Sequence, residues 1–424
     1  MVFRLPPLGL LQLASLTPTN WEVALIDENE HRLDFDTPTD LVALTAMTTL
    51  APRAYSIARE YKKRGVPVIM GGIHASILPD EALKHVDSVV IGEADEIWPT
   101  ILSDFNSENL KKIYKVEQRP NLASLPQPSR IIPRYAYYPL AKVPLIQTSR
   151  GCPFGCDFCS VSNFNGKRIR HRPVEQVIEN IKRFTHNQNP LRRYFIFTDD
   201  NIVADVKYAA KLFKELIPLR VRWLSQADIR IALDKDLLKL AVASGLSTAF
   251  IGFESINKET LAREISRVKA HWSGSYEEGI RRLIKAGVGI EGAFIFGLDN
   301  QDANIFKRTV DWAIKNHIAA AQFTTLTPFP GTKLFERLKR EKRITARSVD
   351  GNYDWEKFNA FEVVFQPAKM NAEALQSGVT WAYKAFYSHK ATFQRLKGAL
   401  SNINAFEKLL FGLVNLNFHY SFRI

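Results

Sequence analysis

The sequence predicts an α/β protein with two sheet-based units and a helical end, and three observations carry that prediction. Short apolar runs of strand length alternate with amphipathic segments along most of the chain. The alternation breaks once, from about Ser103 to Val143, where Pro120, Pro126, Pro128, Pro133 and Pro139 interrupt any period. Beyond Thr332 helical spacing takes over. The units so bounded are residues 1–102, a connector 103–143, residues 144–332 and a helical region 333–424.

In the first unit the strand candidates are Trp21–Asp27, Asp40–Met47, Val66–Gly72 and Ser88–Gly92. Pro52–Arg64 places Ala54, Ile57, Ala58 and Tyr61 on one helical face, and Pro79–Lys84 reads as a short helix. Strands alternating with helices imply a parallel, doubly wound sheet of the Rossmann-like (flavodoxin-like) kind, which binds ligands at the carboxyl ends of its strands. Gly71, Gly72 and His74 fall at one such end, Gly92 and Glu93 at another.

The second unit repeats the pattern six times. Its strands are Leu145–Thr148, Tyr194–Asp199, Arg222–Gln226, Thr248–Phe253, Gly289–Phe296 and Ala320–Leu326. Its helices are Val174–Thr185, Ala204–Glu215, Lys235–Ser244, Ser275–Ala286 and Ile305–Asn316. Six βα repeats make a partial (β/α)6 TIM-like barrel, whose chemistry belongs at the C-terminal strand ends. The helical region opens with Lys333–Lys342, five of whose ten residues are basic. It closes on a basic, aromatic tail, His389–Ile424, with Phe406, Leu409, Leu410 and Leu413 on one face. Such a stripe docks on its own domain or touches a membrane surface or lipidic substrate.

Composition narrows the class. Hydrophobic residues at 46% and charged residues at 24% suit a folded protein with a sizeable core. No apolar run reaches the roughly 18–20 residues of a membrane span. Pro6-Pro7 stands where a secretory signal would be apolar, so a cytoplasmic location is expected. The formal net charge is +13, but the basic residues are spread along the chain without a nucleic-acid motif, so no nucleic acid is expected as partner.

The three cysteines decide the chemistry. They stand in Thr148-Ser-Arg-Gly-Cys152-Pro-Phe-Gly-Cys156-Asp-Phe158-Cys159, on the loop after the first barrel strand. An odd, tightly spaced set is no disulfide framework. Three thiolates on one short loop can hold three irons of a cubane cluster and leave the fourth open to a substrate. A structural zinc site would need a fourth ligand, for which the sequence offers only His171 nearby.

Cys-x-x-x-Cys-x-aromatic-Cys on the first βα loop of a partial barrel resembles the radical S-adenosylmethionine superfamily. The resemblance implies a [4Fe–4S] cluster on Cys152, Cys156 and Cys159, and S-adenosylmethionine bound through its amino and carboxylate groups to the open iron. One-electron reduction then yields a 5′-deoxyadenosyl radical. It further implies an electron donor such as a reductase, flavodoxin or ferredoxin. The stretches that resemble the family's S-adenosylmethionine contacts supply Phe158, Asp199, Asp200, Asn201, Gln226, Glu254, Ser255 and Gly292 as binding residues. Thr327–Thr332 resembles the closing loop.

The first hundred residues resemble the cobalamin-binding domain of one branch of that superfamily, through Pro6–Ala14, Leu25–Asp27, Met70–His74, Leu78–Glu81 and Val89–Ala94. Gly71, Gly72, His74, Gly92 and Glu93 are the cobalamin-binding residues so implied. The resemblance also implies a central strand ahead of Pro6; the sequence starts at the helix that would follow it. The expectation is therefore a sheet lacking its first strand, with Trp21–Asp27 deprived of its neighbour. Enzymes of this layout resemble hopanoid methylases and the anaerobic cyclase of chlorophyll synthesis. The activity implied is methyl transfer from cobalamin to an unactivated carbon of a small or lipid-like substrate. The alternatives are oxidative cyclisation or rearrangement, or a non-catalytic corrinoid- or cluster-binding regulator.

Overall fold

The computed structural model describes residues 7–29, 31–128, 143–185, 193–399, 403 and 405–421. Pro133 and Pro139 of the connector, and the side chains of Phe406 and Leu410, lie outside the described residues.

The N-terminal sheet is parallel throughout, in the order β1 (Val42–Thr45), β2 (Val68–Gly71), β3 (Ser88–Ile91), β4 (Ile113–Lys115). The helix Ala51–Lys63 buries Ala54, Ile57, Ala58 and Tyr61, the face its spacing predicts, against Val68, Met70 and Val89. Two expectations fail here. Trp21–Asp27 forms no strand; it runs extended along an apolar gap whose far wall is Val42 and Leu44 of β1. A β-run is a strand only when a neighbour completes its ladder, and no described strand lies between this segment and β1. Conversely, part of the expected connector is β4. Only Tyr114 of its three residues is buried, so it carries no strand-like run.

The second sheet holds the six expected strands in sequential, parallel order: β5 (Leu145–Ile146), β8 (Tyr194–Phe197), β9 (Arg222–Ala227), β10 (Leu246–Glu254), β11 (Gly289–Phe296) and β12 (Ala320–Thr325). Between β5 and β8 lies a two-stranded hairpin, β6 (Ser149–Arg150) against β7 (Arg170–His171), that brackets the cysteine loop. Phe253, Phe294 and Phe323 stack across adjacent strands, with centroids 5.5 and 5.6 Å apart. They form the aromatic layer between sheet and outer helices. Gly245 makes the tight turn into β10: its φ is +103°, and a Cβ there would lie 1.9 Å from the Val221 carbonyl oxygen.

The helical region closes the open edge of this sheet. From the helix Ala372–Phe386 and the residue after it, Tyr383 accepts from the Phe323 N–H at 3.1 Å. Tyr387 accepts from the Ala321 N–H at 2.9 Å and donates to its carbonyl at 2.8 Å. Beneath the barrel, the helix Ala405–Ser421 packs Phe411 on Gly289 and bonds Asn415 to the Ala319 carbonyl. Arg395 is fully buried there. It donates to the carbonyls of Ile318, Ala319 and Phe386 and to Asn415, and stacks 3.8 Å over Phe386. Burial pulls its pKa down to about 10. The tail helix thus docks through Phe411 and Val414, while Leu409, Leu413, Leu416 and Tyr420 stay exposed.

Replacing Tyr387 by Phe should leave two buried backbone groups of β12 without a partner, a loss of about 1–3 kcal/mol. A lowered thermal midpoint at unchanged secondary structure is the expected result; an unchanged midpoint would show that water replaces the hydroxyl.

Candidate cofactor-binding site

The cysteine loop is built on buried polar contacts at its base. Asp199, fully buried at the end of β8, accepts from the Thr148 N–H at 3.1 Å, the Thr148 hydroxyl at 2.7 Å and the Ser149 hydroxyl. Burial raises its carboxyl to about 6, although those hydrogen bonds favour the ionised form. Asp200 accepts from the Gly151 N–H and from Asn165, and burial raises it also. The Cys152 N–H donates to the Gly166 carbonyl at 3.1 Å. Phe154 lies 5.1 Å beneath the Arg230 guanidinium, which Asp228 holds; Asn201 in turn donates to Asp228 at 2.7 Å. Phe158 packs on the barrel core.

The three thiols are half-buried. Burial raises all three and pushes Cys156 up to about 12, against the pull of Lys269. Thiols this reluctant to ionise become ligands when a metal takes the place of the proton. Among the described residues no three His, Cys, Asp or Glu side chains are placed to hold a single metal ion. Three thiolates on three irons of one cubane need not meet at a point, so the loop fits the cluster better than a mononuclear site. His171 adds no ligand. Its Nε2 lies 3.1 Å from Asp205 and its ring stacks 4.0 Å from Tyr208.

The expected S-adenosylmethionine residues separate into two groups. Glu254 and Gln226 end neighbouring strands on the active face. Glu254 sits at a register shift with a left-handed φ of 61°, a strained backbone of the kind found at functional sites. Its carboxylate pairs with Lys269, a residue the sequence reading did not single out. Lys269 comes from the helix Arg267–Ser273, part of an insertion after β10, and also donates to the Gly252 carbonyl at 3.4 Å. Burial pulls Lys269 down, but Glu254 and Cys156 outweigh it and hold its pKa above the ordinary value. Nothing in the local pattern Ser266-Arg-Val-Lys269 marks this lysine as inward-facing.

The other candidates are committed elsewhere. Asp199 holds the loop base and Asn201 holds Asp228. Ser255 is buried, its hydroxyl accepting from the Asn257 N–H at 3.2 Å. Gly292 faces the aromatic layer, where a Cβ would lie 3.1 Å from Phe253 and Phe294. A strand-end position tells the sequence reader the level of a residue in the barrel but not its direction.

Across from the loop, one cavity is lined by Thr45, Gly71, Gly72 and Gly92 of the N-terminal sheet and by Arg150 and Asn165 of the barrel. Its glycine floor leaves room for a flat or elongated group. Gly72 has φ +88°, and a Cβ there would lie 2.5 Å from the Thr45 hydroxyl. Two of the expected cobalamin residues depart from expectation. His74 is wholly buried outside the cavity, 2.9 Å from the Tyr55 hydroxyl, beside Glu81 and the Trp355 ring. Glu93 reaches the cavity wall, but its carboxylate is held by Arg150 at 2.7 Å and by Arg170. Asp95 takes the other side of Arg150 in two bonds of 2.7 and 3.0 Å.

Comparison with known proteins agrees with this geometry. Residues 146–313 match the radical SAM superfamily, residues 2–102 a B12 binding domain, and residues 332–410 a domain of unknown function. The chain is 30% identical to the bacteriochlorophyllide d C-12(1)-methyltransferase of Chlorobaculum tepidum, over 92% of this chain and 85% of that protein. It is 25% identical to the hopanoid C-2 methylase of Rhodopseudomonas palustris, over 80% and 65% of the two chains. It is 26% identical to the anaerobic magnesium-protoporphyrin IX monomethyl ester cyclase of Cereibacter sphaeroides, over 84% and 61%. The solved radical S-adenosylmethionine methyltransferase TsrM of Kitasatospora setae shares the fold, with a TM-score of 0.68 at 14% identity, over 90% of this chain and 89% of that one.

The raised Asp199 carboxyl has a pH consequence. From about pH 4 to about pH 6 the folded protein keeps a proton that the unfolded chain releases, so this group lowers stability as pH rises through that window, with no further loss above it. In Asp199→Asn this part of the slope should vanish. Thermal midpoints measured from about pH 4 to about pH 7 test it, and equal slopes in both proteins would refute it.

Proposed function

This chain belongs to the cobalamin-binding branch of the radical S-adenosylmethionine enzymes, and from that premise we propose that it methylates an unactivated carbon of a flat or extended, largely apolar small molecule. The observation that carries the reading is the shared cavity, whose floor is N-terminal glycine backbone and whose opposite wall includes Arg150 and Asn165, flanking the cysteine loop. When bound, the cluster and S-adenosylmethionine supply a carbon-centred radical oxidant, and cobalamin supplies a transferable methyl group.

The chain's own residues have separable tasks. Cys152, Cys156 and Cys159 hold the cluster. Lys269 presents an ammonium to the carboxylate of S-adenosylmethionine, and Glu254 presents a carboxylate to its ribose or amino group. Gln226 orients the same ligand from the neighbouring strand. Asp199 and Asp200 fix the loop without touching the ligand. Gly71, Gly72 and Gly92 let cobalamin lie against the sheet. The bacteriochlorophyllide and hopanoid specificities of the relatives, both of apolar ring systems, support the substrate class. So do the exposed Leu409, Leu413, Leu416 and Tyr420, which offer a peripheral contact to the membrane in which such substrates dissolve. No helix among the described residues is long and apolar enough to cross a membrane. The reducing conditions that cluster thiols need support a cytoplasmic location.

Anaerobic purification with added hydroxocobalamin should give about four irons per chain and a corrinoid spectrum. Reduction with dithionite should release 5′-deoxyadenosine from S-adenosylmethionine. Substrate should gain one methyl group; nucleoside release with loss of hydrogen and no added methyl would favour ring formation, as in the cyclase relative. Alanine at any one of the three cysteines should abolish iron retention and nucleoside release together. Gly71→Val should act differently. Gly71 is extended and a Cβ there meets only Val90, at 3.8 Å, so the fold and the iron should persist while corrinoid uptake falls. Full corrinoid uptake by Gly71→Val would remove cobalamin from this cavity.

A further inference from the structure

The rear of the cysteine loop carries a basic cleft that none of the tasks above employs. It has a volume of about 620 Å³, and its lining includes Arg119, Lys167, Arg168, Arg170 and His171 and no Asp or Glu. Arg119, Lys167 and Arg168 are exposed. Among the described residues, Lys167 and Arg168 take part in no ion pair. Arg119 spends its guanidinium on the carbonyls of Phe164 and Asn163, at 3.3 and 3.4 Å, and remains a full uncompensated charge. The carboxylates that reach the cleft lining are spent on Arg170 and His171: Glu93 holds Arg170, and Asp205 lies 3.1 Å from the His171 Nε2.

The cleft is in direct contact with the cluster ligands' backbone. Gly166, between the cleft and the loop, accepts from the Cys152 N–H. At Gly151 a Cβ would lie 2.6 Å from the Arg168 carbonyl oxygen and 3.0 Å from that of Gly166, so the two backbones touch with nothing between them. Clustered like charges at this spot cost stability through mutual repulsion, and among the described residues the Lys167 and Arg168 side chains make no hydrogen bond or ion pair that offsets it. What they do provide is a positive field beside the backbone that meets Gly151 and Cys152.

We propose that this cleft is the docking surface for an acidic one-electron carrier protein that reduces the cluster; the inference rests on the reading that the three cysteines hold one. In the step itself, a flavin hydroquinone or a reduced iron–sulfur centre on the carrier loses one electron, the cluster gains it, and no bond is made or broken in this chain. Any proton released belongs to the carrier's flavin. Complementary charge speeds encounter and sets orientation, and its contribution falls with ionic strength. A carrier seated on Lys167 and Arg168 is one loop's thickness from Cys152 and sits outside the cavity shared by the two cofactors.

The test uses the cluster-loaded full chain and an acidic flavodoxin as probe. Wild type should bind oxidised flavodoxin with an affinity that drops as salt rises. Lys167→Glu with Arg168→Glu should weaken that affinity about tenfold or more at low salt and slow cluster reduction by flavodoxin hydroquinone, followed by stopped-flow absorbance. Lys167→Arg with Arg168→Lys should keep both. Dithionite-driven 5′-deoxyadenosine release should be equal in all three proteins, which separates failure of this proposal from failure of the cluster reading. Unchanged flavodoxin affinity and reduction rate in the charge-reversed protein would overturn the proposal. So would absence of any salt-sensitive flavodoxin binding by wild type, including the case in which wild type binds a short RNA there instead.

Discussion

The ion cluster of Arg150, Arg170, Glu93 and Asp95 is the constraint on which both halves of the site depend. Two cations from the barrel meet two carboxylates from the N-terminal unit, and all four are largely out of solvent. Such a group adds little net stability over apolar packing, because desolvation offsets the attraction, but removing one member leaves a charge buried and unpaired. Its consequence is therefore register. Glu93 follows Gly92 of the cavity floor, and Arg150 stands two residues before Cys152. Chain connectivity this short means that the pairing sets how far the floor stands from the cysteine loop. A second grip, Trp355 donating to Glu81 at 2.8 Å, holds the opposite side of the N-terminal unit to the helical region. The two grips together tie the unit to the barrel and to the helical region.

Within the barrel the same logic acts on a smaller scale. Asp199 ties β8 to the base of the loop, and Asp228 ties β9 to its tip through Arg230 and Phe154. Each is a carboxylate spent on position. Glu254 is the exception. It is the one strand-end acid whose partner, Lys269, arrives on an insertion and stands beside the cysteines. An ammonium and a carboxylate held together largely out of solvent carry charges complementary to the two ends of an amino acid.

The parts legible in the sequence are those fixed by local pattern. The six barrel strands and five of its helices fall where period and length put them, because each buries one face against a neighbour adjacent in sequence. The cluster motif is legible because its spacing is itself the chemistry. What escaped needed a distant partner. Trp21–Asp27 has strand composition but no ladder. Ile113–Lys115 has a ladder but no composition. His74, on the short helix after β2, turns into packing against Tyr55, and Gly292, within β11, lies against Phe253; no local signal in the sequence marks either environment. Lys269 is hidden for the reverse reason: it looks like any surface lysine of a polar helix until the insertion folds over β10.

The charge of the chain follows from the same site. An iron–sulfur cube held by three thiolates is negatively charged in either oxidation state, and each reduction adds to that charge. Around such a group buried carboxylates must be neutralised and cations are favoured. Glu93 and Asp95 are matched by Arg150 and Arg170, Asp228 by Arg230, and Glu254 by Lys269, while Asp199 and Asp200 are held by hydroxyl, amide and backbone N–H donors instead of cations. Arg119, Lys167 and Arg168 are surplus to that pairing and sit where their field reaches the cluster from behind. The excess positive charge of this sequence thus includes a local component that makes the cluster easier to reduce and draws the reductant to it. That component comes from residues outside the lining of the shared cavity, so a reductant drawn to it does not occupy the space of the substrate.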